Sequence, residues 1–188
     1  MRVLRLIVLT FGAIAVFSVI VLTLVLWLFS RNLPKIETLA DYQPPLATRV
    51  FDEDGRLIAE YADEHRILVP FARIPKRLIQ AFLAAEDQQF YEHPGINPAR
   101  IISALIANIR AGHVVQGGST ITQQVAKNFF LSPKKTLMRK IREAILAWKI
   151  EQRFTKDEIL WLYLNQIYLG RGAYGVASAA WRYFGKTL

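Results

Sequence analysis

From Leu6 to Phe29 the chain carries no charged residue. The run exceeds the ~20 apolar residues that a helix needs to cross a bilayer. One element is therefore set for lipid, and the rest must fold beside it. A cleaved leader has an apolar core of only ~7–15 residues followed by small residues. This run instead closes on Leu26-Trp-Leu-Phe-Ser-Arg31, so it reads as an uncleaved anchor with Trp27 at the interface. Arg2 and Arg5 precede it, while Arg31 and Lys35 follow it, diluted by Glu37 and Asp41. The short basic start favours a cytoplasmic N-terminus and an exported body.

Composition narrows the class of partner. The formal charge is +9, and of 24 Lys and Arg two precede the span, leaving 22 against 15 Asp and Glu. That excess calls for an anionic partner. On an anchored chain, anionic headgroups or phosphate-bearing lipids fit better than nucleic acid, and exposed aromatics interleaved with the basic run, as nucleic-acid stacking requires, are not expected. There are no cysteines, which excludes disulfides, thiolate metal sites and a cysteine nucleophile.

Residues 31–73 read as a linker with a small β element. Pro34, Pro44 and Pro45 keep its first part extended. Asp54-Gly55 between two β-prone runs signals a hairpin, and Ile67-Leu-Val adds a candidate third strand. From 74 onward the pattern is helical. Pro75 opens a first helix that His93-Pro-Gly95 breaks, and further helices are expected over 98–110, 119–130, 135–153, 157–168 and 173–184. Thr155-Lys-Asp-Glu158 is a capping box, which gives Glu158 a structural role. The expected body is mainly α, running from 74 to 188, with residues 1–30 as cytoplasmic tail and anchor.

Three stretches carry chemistry. In the first, Ile79, Phe82, Leu83, Glu86 and Phe90 share one helical stripe. A Glu among apolar residues is desolvated, the setting a general base or acid exploits; a Glu at the rim, paired or solvated, is the alternative. In the second, Gln116-Gly-Gly-Ser119 leads into a helix whose free amides favour an anion. Thr120, Gln123, Gln124 and Lys127 make one polar face there, while Ile121, Val125 and Phe129 make an apolar one. In the third, Lys127, Lys134, Lys135, Arg139, Lys140, Arg142 and Lys149 surround a single acid, Glu143, with Leu137, Met138, Ile141, Ile145 and Trp148 on the expected buried side. This reads as a solvated basic face or as a pyrophosphate clamp in which Glu143 orients the cations or helps hold a metal.

Other motifs fail on context. His65, His93 and His113 lack metal-ligand spacing. Ser132-Pro-Lys-Lys135 matches a Ser-x-x-Lys pattern, but its partner motifs are absent. No glycine-rich nucleotide or dinucleotide fingerprint appears.

Taken together, five stretches resemble the peptidoglycan glycosyltransferases of family 51, as found in the N-terminal part of class A penicillin-binding proteins. They are Glu86-Asp-Gln-Gln-Phe-Tyr-Glu-His-Pro-Gly-Ile-Asn97, Gly117-Gly-Ser-Thr-Ile-Thr-Gln-Gln-Val-Ala-Lys-Asn128, Arg139-Lys-Ile-Arg-Glu143, Lys156-Asp-Glu-Ile-Leu-Trp-Leu-Tyr-Leu-Asn165 and Gly172-Ala-Tyr-Gly-Val176. The resemblance implies a lysozyme-like helical domain on the periplasmic or outer face of the cytoplasmic membrane, held by one membrane helix. It implies polymerisation of lipid II onto a growing glycan chain, with inversion and release of the polyprenyl pyrophosphate. Glu86 would be the general base, and Glu143 would assist near the donor and a divalent cation, Mg or Mn. Ser119, Thr120, Gln123, Gln124, Lys127 and Asn128 would meet sugar or phosphate, as would Asp87, Phe90 and His93 of the first motif. Lys135, Arg139 and Lys140 would stabilise the pyrophosphate. Other cell-wall synthesis proteins are further implied partners. Gln88 and Gln89 stand where the family often has Arg, and Asn97 where it often has Asp. The family's domain also continues with helices beyond Leu188, so an incomplete domain is expected. A lysozyme-like hydrolase using Glu86 as acid, or a membrane module that binds lipid II without turnover, are the alternatives.

Overall fold

The structure, a computed structural model, describes residues 2–31, 33–39, 48–61, 65–134 and 136–188. Helix α1 spans Arg2–Ser30, and its Val8–Ser30 portion is long and apolar enough to cross a membrane. A 3-10 turn follows at Ile36–Leu39, and both it and α1 meet helix α5 (Leu137–Arg153). Strands β1 (Thr48–Phe51) and β2 (Leu57–Tyr61) form the expected antiparallel hairpin, closed by Asp52 Oδ1 accepting from the Asp54 and Arg56 amides. The third strand is displaced from its expected place. Strand β3 is His65–Arg66, and it pairs in parallel with β4 (Ala173–Tyr174), far along the chain. Residues 67–69 are instead tied down by side chains. Ser178 Oγ accepts from the Ile67 amide, Asn165 Oδ1 accepts from the Val69 amide, and Trp161 Nε1 donates to the Val69 carbonyl.

The remaining helices are α2 (Lys76–Glu86), α3 (Pro98–Ala111), α4 (Ile121–Phe130), α6 (Lys156–Gln166) and α7 (Val176–Phe184). Helix α6 is the centre of the core. Ile159, Leu160, Leu162, Tyr163 and Leu164 are all buried, and α6 packs on α4, α5 and α7. The Thr155 capping box forms, and Thr155's backbone and side-chain hydrogen bonds hold the Glu158 carboxyl below the usual range.

Three expectations change. Helix α2 ends at Glu86, because Asp87 turns extended (φ −164°) and carries its carboxylate into the interior. Phe90 reaches the core through a turn, not along a helical stripe. Helix α5 is rotated relative to the expectation. Glu143, Leu146, Ala147 and Ile150 face inward, whereas Leu137, Met138 and Trp148 are 77, 52 and 51% exposed. The helix is apolar on both sides, so periodicity did not select one. Helix α3 buries only Ala104, leaving Ile101, Ile102, Leu105, Ile106 and Ile109 exposed.

Gly175 joins β4 to α7 at φ +82°, and a Cβ there would stand 2.7 Å from the Asn165 carbonyl oxygen. Backbone strain and overpacking act together, so Gly175→Ala is expected to cost about 2–4 kcal/mol of folding stability. A denaturant midpoint in detergent equal to the parent's would show that α6 and α7 shift apart without penalty.

Candidate active site

A cleft of about 760 Å³ opens between the end of α2, α3, the loop at 115–119, α4 and α5. Glu86 ends α2 on its wall, half-buried, and accepts a hydrogen bond from Gln124 Nε2 at 2.8 Å. Helix geometry places Gln124 there. On α4, Ile121 and Val125 are buried and turn the face with Gln123, Gln124 and Lys127 to the cleft. Behind Glu86 lies Tyr163. Burial pushes its phenol pKa up, and the charge of Glu86 adds to the effect. Phe82, one turn before Glu86, meets the Tyr163 ring edge-on at 6.0 Å.

Asp87 is 1% exposed and saturated with donors. It accepts from His93 Nε2 at 3.0 Å, from an Arg100 guanidinium nitrogen at 3.3 Å and from the Ile121 amide at 3.0 Å. The Gly95 amide donates to His93 Nδ1 at 3.2 Å, which assigns the ring proton to Nε2, facing Asp87. A carboxylate at the first turn of α4 also complements the positive helix end.

The free anion site expected at that helix start is thus occupied from within. Asp87 takes the Ile121 amide, Thr120 Oγ1 accepts from the Gln123 amide at 3.2 Å, and Gln123 Oε1 accepts from the Thr120 amide at 3.0 Å. Cationic and polar side chains also face the cleft.

Those side chains come from α4, α5 and the loop before α4. Lys127, Arg139, Lys140 and Ser119 line the same cleft. Glu143, 1% exposed, accepts from Arg139 and from Lys140 Nζ, the latter at 2.5 Å. Lys140 Nζ also donates to Ser119 Oγ at 2.8 Å. Thr136 caps α5 by accepting from the Arg139 amide, which fixes the helix start beside the cleft. The arrangement is a buried acid holding two cations at the cleft wall, with Lys127 as a third.

Not every expected contact residue lines the cleft. Phe90 is wholly buried, His93 is buried against Asp87, and Thr120 is the buried cap of α4, donating to the Gly95 carbonyl at 2.6 Å. Their side chains brace the wall from behind. Asn128 is exposed off the cleft, and Lys135 lies outside the described residues. Conversely, Arg100 and Ser103 line the cleft without having been singled out in the sequence, and Gln116, Gln88, Gln89 and Asn97, noted there for the loop and for departures from the family pattern, line it too. Arg100 had one usable signal: a cation in the first turn of a helix, where a buried acid is needed to hold it.

Glu143 is the one expected metal ligand, and both of its oxygens are already engaged by protein cations. Among the described residues no three His, Cys, Asp or Glu gather.

A family model described as Transglycosylase matches residues 54–188. The chain belongs to the transglycosylase family. This transglycosylase is 53% identical over 157 residues to "Penicillin-binding protein 1A" of Escherichia coli (strain K12), covering 84% of this chain and 18% of that protein. It is 54% identical over 156 residues to the Aquifex aeolicus (strain VF5) protein of the same name, covering 83% and 22%. With the Rickettsia felis protein of that name the identity is 46% over 187 residues, covering 95% and 24%. The chain therefore spans about a fifth to a quarter of the length of these relatives.

Because Asp87 joins α2, α3 and α4 without solvent, Asp87→Asn is expected to cost about 3 kcal/mol or more, the usual cost of stripping one partner from a buried ion pair. The check is urea denaturation of the parent and the variant side by side. A loss below about 1 kcal/mol, the size of an exposed pair, would demote Asp87 from its bracing role.

Proposed function

We propose that this transglycosylase domain polymerises lipid II, transferring the lipid-linked sugar to the growing glycan with inversion. The observation that carries the reading is one cleft lined both by a half-buried carboxylate held by an amide and by three cations, two of them paired with a buried acid. Glu86 removes the proton from the acceptor 4-hydroxyl, whose oxygen attacks the donor anomeric carbon. The bond from that carbon to the pyrophosphate oxygen breaks, and its electron pair leaves with the polyprenyl pyrophosphate. A single displacement inverts the centre. Lys127, Arg139 and Lys140 face the negative charge that grows on the leaving group, where fixed cations accelerate most. Glu143 orients Arg139 and Lys140 and keeps them aimed. Gln123, Gln124 and Ser119 supply hydrogen bonds to sugar or phosphate oxygens.

Membrane placement belongs to the same reading. Helix α1 serves as a single-pass anchor in the cytoplasmic membrane, with the domain on its outer or periplasmic face. The exposed stripe of α3, continued by Val114 and Val115 beside the cleft, is an apolar patch of the kind that meets lipid, and it suits a substrate whose tail stays in the bilayer. Other cell-wall synthesis proteins are fitting neighbours there. A glycan hydrolase has no use for the cation cluster.

Labelled lipid II in detergent tests the proposal. The chain is expected to form polymer. Glu86→Gln should lower the rate by at least about 100-fold, the low end of what a general base contributes, while thermal unfolding stays unchanged. Substantial residual polymer from Glu86→Gln would remove it as the base. Lys140→Ala is expected to slow turnover by about 100-fold, as losing one preorganised charge contact does, and a rate equal to the parent's would sink the leaving-group assignment.

A further inference from the structure

Behind the cleft wall sits a polar cluster with no role so far. Lys156, in the first turn of α6, sends its ammonium to the turn that follows α2. Nζ donates to the His93 carbonyl at 2.6 Å and to Glu151 Oε1 at 2.8 Å, and stands 4.5 Å from the centre of the Phe90 ring. Glu151, on α5, also accepts from Thr122 Oγ1 of α4 at 2.6 Å. Its side chain is 7% exposed. Three helices and one turn therefore meet at a single ammonium–carboxylate pair. The packing there is tight: a Cβ on Gly95 would approach the Ala147 carbonyl oxygen to 2.8 Å and Glu151 Cγ to 2.9 Å.

Two supports of Glu86 both lead back to this pair. The first runs through its own backbone. Lys156 holds the His93 carbonyl, the His93 ring holds Asp87, and Asp87 is the next residue after Glu86. The second runs through α4. Glu151 holds Thr122, which lies between Ile121, whose amide binds Asp87, and Gln124, whose amide binds Glu86. Lys156 itself is not among the cleft-lining residues.

We infer that Lys156, fixed by Glu151, is a positioning residue that sets the placement of Glu86 through the 87–97 turn and the first turn of α4. The inference rests on the polymerase reading above. A misplaced base costs rate more than affinity, because transfer needs the proton acceptor within hydrogen-bond reach of the attacking hydroxyl. An ordinary structural ion pair would instead lower the folded fraction and leave each folded molecule equally fast.

The full chain in detergent distinguishes these. Lys156→Met keeps the side-chain bulk and removes the donor. It is expected to lower kcat per folded molecule by about 10- to 100-fold while KM for lipid II moves by less than about threefold. Amide exchange over 87–97 and 121–124 is expected to quicken by about tenfold or more, with α6 still protected. Lys156→Arg should restore part of both. If Lys156→Met does not fold, Glu151→Gln takes its place, since it keeps an acceptor for Thr122 and removes the charge that fixes Lys156; the same changes are expected. Unchanged kcat per folded molecule overturns the inference, as does unchanged exchange in the 87–97 turn. If the parent chain makes no polymer, the polymerase reading fails by itself, and the exchange measurement alone decides whether Lys156 holds the turn.

Discussion

The Asp87 carboxylate receives its donors from three separate parts of the chain: the His93 ring in the turn, Arg100 on α3 and the Ile121 amide at the start of α4. A buried carboxylate without such donors would be strongly unfavourable. The interior therefore accepts Asp87 only when α2, α3 and α4 converge on it. The extended backbone at Asp87 ends α2, so Glu86 becomes a terminal residue at the cleft edge. Much of the site geometry follows from satisfying that one charge.

The second acid obeys the same rule with a different result. Glu143 is equally buried, yet its partners are cations from the preceding turn of its own helix. Arg139 and Lys140 are held by Glu143 and still border the cleft. One buried acid is consumed in bracing, whereas the other presents charge to the substrate space. The difference lies in what each acid pairs with: a ring, a guanidinium and a backbone amide in one case, two long cationic side chains in the other.

Local rules made much of this legible. The hairpin at Asp54-Gly55, the capping box at Thr155 and the division of α4 into polar and apolar faces are short-range consequences of turn chemistry and helical spacing. Glu86 was equally visible as an acid on an apolar stripe, and Glu143, Lys127, Arg139 and Lys140 as a lone acid among cations. Less legible were residues whose role depends on distant partners. Phe90, His93 and Thr120 belong to motif stretches, yet their side chains face the interior. Arg100 belongs to no such stretch, yet it borders the cleft. The α5 stripe could not be chosen from periodicity, because Ile141, Ile145 and Trp148 offer an apolar alternative to Leu146, Ala147 and Ile150.

By itself the sequence determined the anchor-length helix, the order of the helices, the family and the acids and cations of the cleft. All of these depend on residue type and short spacing. Only the tertiary structure decided where α2 stops, which side of α5 turns inward, that β3 pairs with a strand more than a hundred residues away, and that the first amides of α4 are filled by Asp87 and Thr120. The physical reason is distance along the chain. The end of α2, the β3–β4 pair and the Asp87–Ile121 contact are settled by polar groups finding partners across the fold, and the inward side of α5 by its packing on α4 and α6; neither kind of partner sits at a fixed spacing in the sequence.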